Sequence, residues 1–162
     1  MRNTMEHGQA GEANNAYIEI IAFEIGGQEF CVRTMSVREI RGWTQSTPLP
    51  QAPQEVMGMM NLRGSIIPIV NMATKLGMPA SKPDARSAVI VAEIGNTVVG
   101  LLVDRVADIL TVEAASVQPT PEMRGSFSAG YVSGVLATDS GMTSFLDLDR
   151  MFAGFDAEEI AA

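Results

Sequence analysis

The chain has 162 residues, 46% hydrophobic and 19% charged, with a formal net charge of −8. Such a chain belongs among soluble globular proteins, with room for one domain or two small lobes sharing a core. Residues 1–86 carry eight basic and eight acidic side chains and residues 87–162 three basic and eleven acidic, so the second half repels phosphate backbones and anionic lipid. Protein partners are expected, with no nucleic acid and no direct membrane insertion.

Residues 1–16 are polar and without periodicity, which reads as a disordered N-terminal tail with no secretory signal. Tyr17 to Ile25 is β-branched and aromatic, Gly26-Gly27 supplies a two-residue turn, and Gln28 to Arg33 returns as a second strand. Cys31 is the only cysteine and reads as a small core residue, in keeping with a reducing cytoplasm. Met35 to Arg41 admits a helical turn followed by a strand. Trp43 reads as a core plug or an interface anchor. Residues 44–53 form a proline-broken loop, and Pro53 to Met60 reads as one short helix. Its Met57, Met59 and Met60 suit either core gaps or an adaptable surface. Ile66 to Val70 is a buried strand in which Pro68 cannot donate a ladder hydrogen bond, so the strand should lie at an edge or carry a bulge. Asn71 then caps a short helix that Gly77 stops.

Residues 78–86, with Pro79 and Pro83, read as the main internal linker. Ala88 to Ile94, the turn Gly95-Asn96 and Thr97 to Asp104 make another hairpin, and Val106 to Val112 is a weaker strand. Residues 113–130 are loop-like. Tyr131 to Thr138 and Met142 to Leu148 form a last hairpin around Asp139-Ser140-Gly141, Asp149 caps a short helix through Phe152, and residues 153–162 read as a frayed tail. The sum is all-β, with eight to ten short strands.

One stretch stands apart. Gly58-x-x-Asn61-Leu62-Arg63-Gly64-x-Ile66-Ile67-Pro68-Ile69-Val70, closing at Leu76-Gly77, resembles the signature of the CheW family of bacterial chemotaxis adaptors. Val37 to Gly42 and Val98 to Val106 resemble further segments of that family, and the likeness covers residues 17–152. It implies two SH3-like five-stranded β-barrel subdomains packed side by side, near 17–78 and 86–152, with a possible exchange of a terminal element. It also implies a cytoplasmic, non-enzymatic scaffold recruited to membrane receptor arrays. Its partners would be the CheW-like regulatory domain of the histidine kinase CheA and the cytoplasmic tip of methyl-accepting chemotaxis receptors. Asn71 stands where the family commonly has aspartate.

The resemblance assigns receptor binding to Val37, Glu39, Gly58, Asn61, Arg63 and Ile109, with Glu39 and Arg63 facing each other beside an apolar groove between the lobes. A receptor helix would lie in that groove. An ordinary surface ion pair, a backbone role for Gly58 and Gly64, and an Asx turn at Asn61 are the plainer alternatives. No cofactor or metal is expected. His7 and Cys31 are the only histidine and cysteine, too few for a catalytic triad or zinc site. Asp139-Ser140-Gly141 matches the Asp-Ser/Thr-Gly of homodimeric aspartic proteases, though Asp, Ser and Gly are also ordinary turn residues. A generic β-barrel interaction module is the other alternative.

Overall fold

Gly26 and Gly27, at φ of 60° and 81°, close the first hairpin, β1 (Tyr17–Ile25) on β2 (Gln28–Arg33). A 3-10 turn at Thr34–Ser36 leads into β3 (Val37–Gly42). β4 (Val56–Leu62) and β5 (Ser65–Asn71) form the next hairpin, followed by helix α1 (Met72–Lys75). Then come β6 (Ala88–Ile94), β7 (Thr97–Val103) and β8 (Arg105–Glu113). β9 (Val132–Thr138), β10 (Gly141–Leu146) and helix α2 (Leu148–Met151) are the last of the described elements. These coordinates come from a computed structural model that describes residues 16–120, 130–139 and 141–155. The expected tails at 1–16 and 153–162 therefore fall almost entirely outside the described residues.

The strands make two five-stranded sheets, β8-β1-β2-β10-β9 and β3-β6-β7-β5-β4. The sheets do not divide at residues 78–86; an exchange of elements between the halves, which the resemblance left open, is present. The hairpin β1–β2 joins β8, β9 and β10 from the far end of the chain, and β6–β7 joins β3, β4 and β5. The two sheets correspond strand for strand in this order, and each half of the chain lends a hairpin to one sheet and three strands to the other. The match reaches single residues. Ile40 pairs with Ile90 as Ile109 pairs with Ile21, and β5 runs parallel to β7 as β10 runs parallel to β2. Each sheet also bends round on itself. The segment after β3 bridges to β4 at Thr47 and Met59, and the segment after β8 bridges to β9 at Gln118 and Val135.

Period-2 alternation in these strands gives two apolar faces and hence three cores. One lies within the bend of the first sheet (Ile20, Ala22, Cys31, Leu136, Phe145) and one within the second (Leu62, Ile67, Ile69, Val89, Val91, Leu102). The third lies between the sheets, where Phe23, Phe30 and Val32 meet Ile90, Val99 and Leu101 under Met72, Leu76 and Met151. The centre of the junction is a packed interior, and a cleft lined by residues of both sheets opens beside it.

Three local expectations also change. Residues 56–60 are strand, because a bulge at Met57 breaks the alternation and makes the segment look helical. Pro68 does not sit at an edge, since β5 lies between β7 and β4. Met59, its cross-strand partner, spends its own N–H and C=O on Thr47. Met59 and Pro68 are thus a non-hydrogen-bonded pair, and the donorless Pro68 nitrogen faces the β7 side, where pairing begins only at Ile69. Finally, α2 is capped by Asp147, which accepts from the Arg150 N–H at 3.2 Å, and not by Asp149. The Asn71 cap is present: its Oδ1 accepts from the Thr74 N–H. Gly77, at φ 79°, ends that helix with paired bonds from Gly77 N–H to Thr74 and from Met78 N–H to Ala73.

Candidate partner-docking site

The β4–β5 hairpin turns in two residues. Leu62 pairs with Ser65, and Arg63 and Gly64 lie between them at φ of 52° and 91°. A primed turn of this kind matches the twist of the strands but asks a non-glycine residue, Arg63, to adopt left-handed backbone. Asn61 compensates by accepting the Gly64 N–H at 2.8 Å. The outcome is an arginine held at a rigid corner, its side chain 70% exposed.

Glu39 reaches that corner from β3, the edge strand of the sheet. Arg63 Nη1 donates to Glu39 Oε2 and Nη2 to Oε1, a two-pronged pairing of planar groups. Arg41, two residues along and so on the same face, donates to Oε1 at 3.3 Å. The Glu39 side chain is 23% exposed. The Arg63 hydrogen bond, opposed by partial burial and aided by the charges of Arg63 and Arg41, holds its carboxyl below the usual glutamate range. Two guanidiniums on one carboxylate leave a net positive spot on an acidic protein. Its exposed face is suited to a partner's carboxylate. Arg41 is missing from the expected site, although the alternation Glu39-x-Arg41 already placed both on one face.

The other expected residues are distributed. Val37, at the start of β3, is half-buried against the central core. Gly58 is buried, and a Cβ there would lie 2.3 Å from the Thr47 carbonyl oxygen, so its immediate role is to let the 44–48 segment cross β4. Ile109 is 52% exposed on β8, in the other sheet. Two more large apolar side chains, Ile40 and Ile66, are exposed on the strands flanking the ion pair. Asp139 occupies the exposed β9–β10 turn, with Thr138 and Gly141 paired behind it, and Ser140 lies outside the described residues. The motif thus sits where the turn reading places it, between the paired ends of β9 and β10. Among the described residues no three His, Cys, Asp or Glu side chains converge as metal ligands, and no helix is long and apolar enough to cross a membrane.

A family model described as CheW-like domain matches residues 19–155. The chemotaxis protein CheW of Rhizobium meliloti (strain 1021) is 46% identical over 158 residues, covering 98% of this chain and 99% of the relative. That of Klebsiella aerogenes is 32% identical over 143 residues, 88% and 84% of the two chains. Among solved structures, the scaffolding protein TtCheW of Thermoanaerobacter tengcongensis aligns with a TM-score of 0.78 at 25% identity, over 85% of this chain and 94% of that one.

Proposed function

The chain belongs to the CheW family, and from that premise we propose that it is a non-enzymatic scaffold coupling methyl-accepting chemotaxis receptors to the histidine kinase CheA. It would work in the cytoplasm, recruited to receptor arrays. The observation that carries this reading is the Arg63 guanidinium, presented outward on a fixed corner and steadied by Glu39. A helical receptor tip offers a ridge of apolar side chains bordered by charged ones. Val37 and the exposed Ile40 and Ile66 would meet the ridge, and Arg63 would set its orientation by pairing with a receptor carboxylate. The helix would lie over the surface beside the ion pair. Asn61 and Gly58 act through the hairpin's shape, and Ile109 supplies a contact from the other sheet. Modest contacts of this kind become strong when many receptors, adaptors and kinases assemble together.

The test is co-precipitation of a receptor cytoplasmic-tip fragment and the CheA regulatory domain with the wild-type chain and with Arg63→Glu. Both partners should bind the wild type. The variant should lose about tenfold or more in receptor-tip affinity, with the melting temperature moved by less than about 2 °C, as for other exposed ion pairs. A large fall in melting temperature would make Arg63 structural, and failure of the wild type to hold either partner would sink the scaffold reading.

A further inference from the structure

We propose that Arg41 is a positioning residue of the docking corner, a counter-charge that acts through Glu39 and tunes Arg63 to an acidic side chain of the partner. The inference rests on the scaffold reading and adds to it a residue that the family resemblance left out. Glu39 Oε1 is shared between the two arginines, accepting from Arg63 Nη2 at 3.2 Å and from Arg41 Nη1 at 3.3 Å, while Oε2 accepts from Arg63 Nη1. The side chains rise in exposure from Glu39 (23%) through Arg41 (41%) to Arg63 (70%). Glu39 is therefore the inner member, held by both guanidiniums, and the remaining N–H donors of Arg63 are the ones a partner reaches first.

Charge accounting gives Arg41 its role. With Glu39 and Arg63 alone the corner is neutral, and a partner carboxylate reaching Arg63 would leave two negative charges on one guanidinium. Like charges at such short range repel. Arg41 supplies the missing positive charge, so that the corner with a partner carboxylate in place holds two charges of each sign. It also gives Glu39 a second donor, and Arg63 can then share its N–H groups with the partner without leaving a carboxylate oxygen bare. Among the described residues, Arg63 and Arg41 are the charged groups in contact with Glu39, and the other arginine of β3, Arg38, is engaged by Glu93 at 2.9 Å. The Glu39 carboxyl is held low first by the Arg63 hydrogen bond, against desolvation, and then by the Arg63 charge and the Arg41 hydrogen bond and charge. The sister corner of the first sheet gives the contrast. Matching Ile40 to Ile109 sets Leu110 in the place of Arg41 and Asp108 in the place of Glu39. No arginine stands on that strand position, and Asp108 turns to the N–H of Ile109. The corner with an arginine at its turn is the one with a second arginine on its strand.

The test titrates a receptor cytoplasmic-tip fragment into the full chain by calorimetry, with Arg41→Gln, Arg41→Lys, Glu39→Gln and the double variant Arg41→Gln, Glu39→Gln. Arg41→Gln should weaken binding by about fivefold, and Arg41→Lys, which keeps the charge and a donor, should stay within about twofold of the wild type. With Glu39→Gln already in place, the further change Arg41→Gln should move the affinity by less than about twofold, because the charge it balances is gone. Carbon NMR of the free chain supplies a readout that needs no partner: Arg41→Gln should raise the titration midpoint of the Glu39 carboxyl. Arg41→Ala repeats the series if the glutamine variant folds poorly. Where the wild type binds the tip, four results would overturn the role of Arg41 and leave the scaffold reading standing. These are an Arg41→Gln variant that binds equally well, a lysine variant that loses as much as the glutamine one, an equal loss with and without Glu39, and an unmoved Glu39 midpoint. A wild-type chain that does not bind the tip overturns both.

Discussion

Glu39 and Arg63 in the second sheet correspond, strand for strand, to Asp108 and Asp139 in the first. At the first pair of positions the longer Glu39 spans to the turn and meets Arg63 and Arg41. Asp108, one carbon shorter, folds back to accept the N–H of its neighbour Ile109 at 2.8 Å. At the turns, an arginine in one sheet faces an aspartate in the other, which would repel Asp108 if it reached across. The apolar half of the surface is duplicated all the same, since Ile40 matches Ile109 and Ile66 matches Met142, all four exposed. The scaffold therefore provides two similar apolar corners, and a few substitutions on strand and turn decide that only one becomes a charged clamp.

The largest expected effect tests whether the two sheets are equivalent about the central core. Phe23 and Ala92 occupy matched positions there, both buried. Phe23→Ala should cost about 3–5 kcal/mol in urea denaturation, and Ala92→Phe about 1–3 kcal/mol through overpacking. The double variant moves the bulk across the core and should cost less than the two together. Simple additivity would show that the matched positions do not share one space.

A smaller effect distinguishes the bridged edges. Gly58 and Gly134 both sit under a crossing segment, but a Cβ on Gly58 meets the Thr47 carbonyl at 2.3 Å, whereas one on Gly134 meets a Val117 methyl at 2.7 Å and the Gln118 carbonyl at 2.8 Å. Both would press on a backbone carbonyl, but the overlap at Gly58 is deeper, 2.3 Å against 2.8 Å. Gly58→Ala should therefore destabilise by about 3 kcal/mol and Gly134→Ala by about 1–2 kcal/mol, again by denaturation. Equal losses would erase the distinction.

The smallest effect concerns the clamp itself. The folded-state pKa of Glu39 is lowered, chiefly by the Arg63 hydrogen bond. The stability it lends is thus present above the ordinary glutamate value of about 4.3 and disappears as pH falls through the folded value. Carbon NMR of the Glu39 carboxyl should place its midpoint below that of an unpaired glutamate, and Arg63→Ala should move it upward. An unmoved midpoint would mean that Arg41 alone holds the carboxylate.

Local chemistry was the legible part. Gly26-Gly27 and Gly95-Asn96 mark hairpins because few other residues tolerate those turns, and Asn71 and Gly77 mark the ends of α1 because their side-chain oxygen and positive φ act within a few residues. The positions of Glu39 and Arg63 were legible through the family pattern, and the bond between them followed. Misreadings arose where a distant neighbour decides. The Met57 bulge is set by how β4 must match β5, the position of Pro68 by where β7 begins to pair, and the α2 cap by which of two nearby aspartates the chain's approach angle presents.

Residue order by itself therefore determined most of the strands and their turns, the short helix after β5 and the family to which the chain belongs, but not β4, which reads as helix. Only the tertiary structure decided that the halves exchange strands and that a packed core joins the two sheets. The physical reason is that backbone hydrogen bonds are alike for every strand. Partner choice rests on which apolar faces are buried together, and that is a property of the assembled chain.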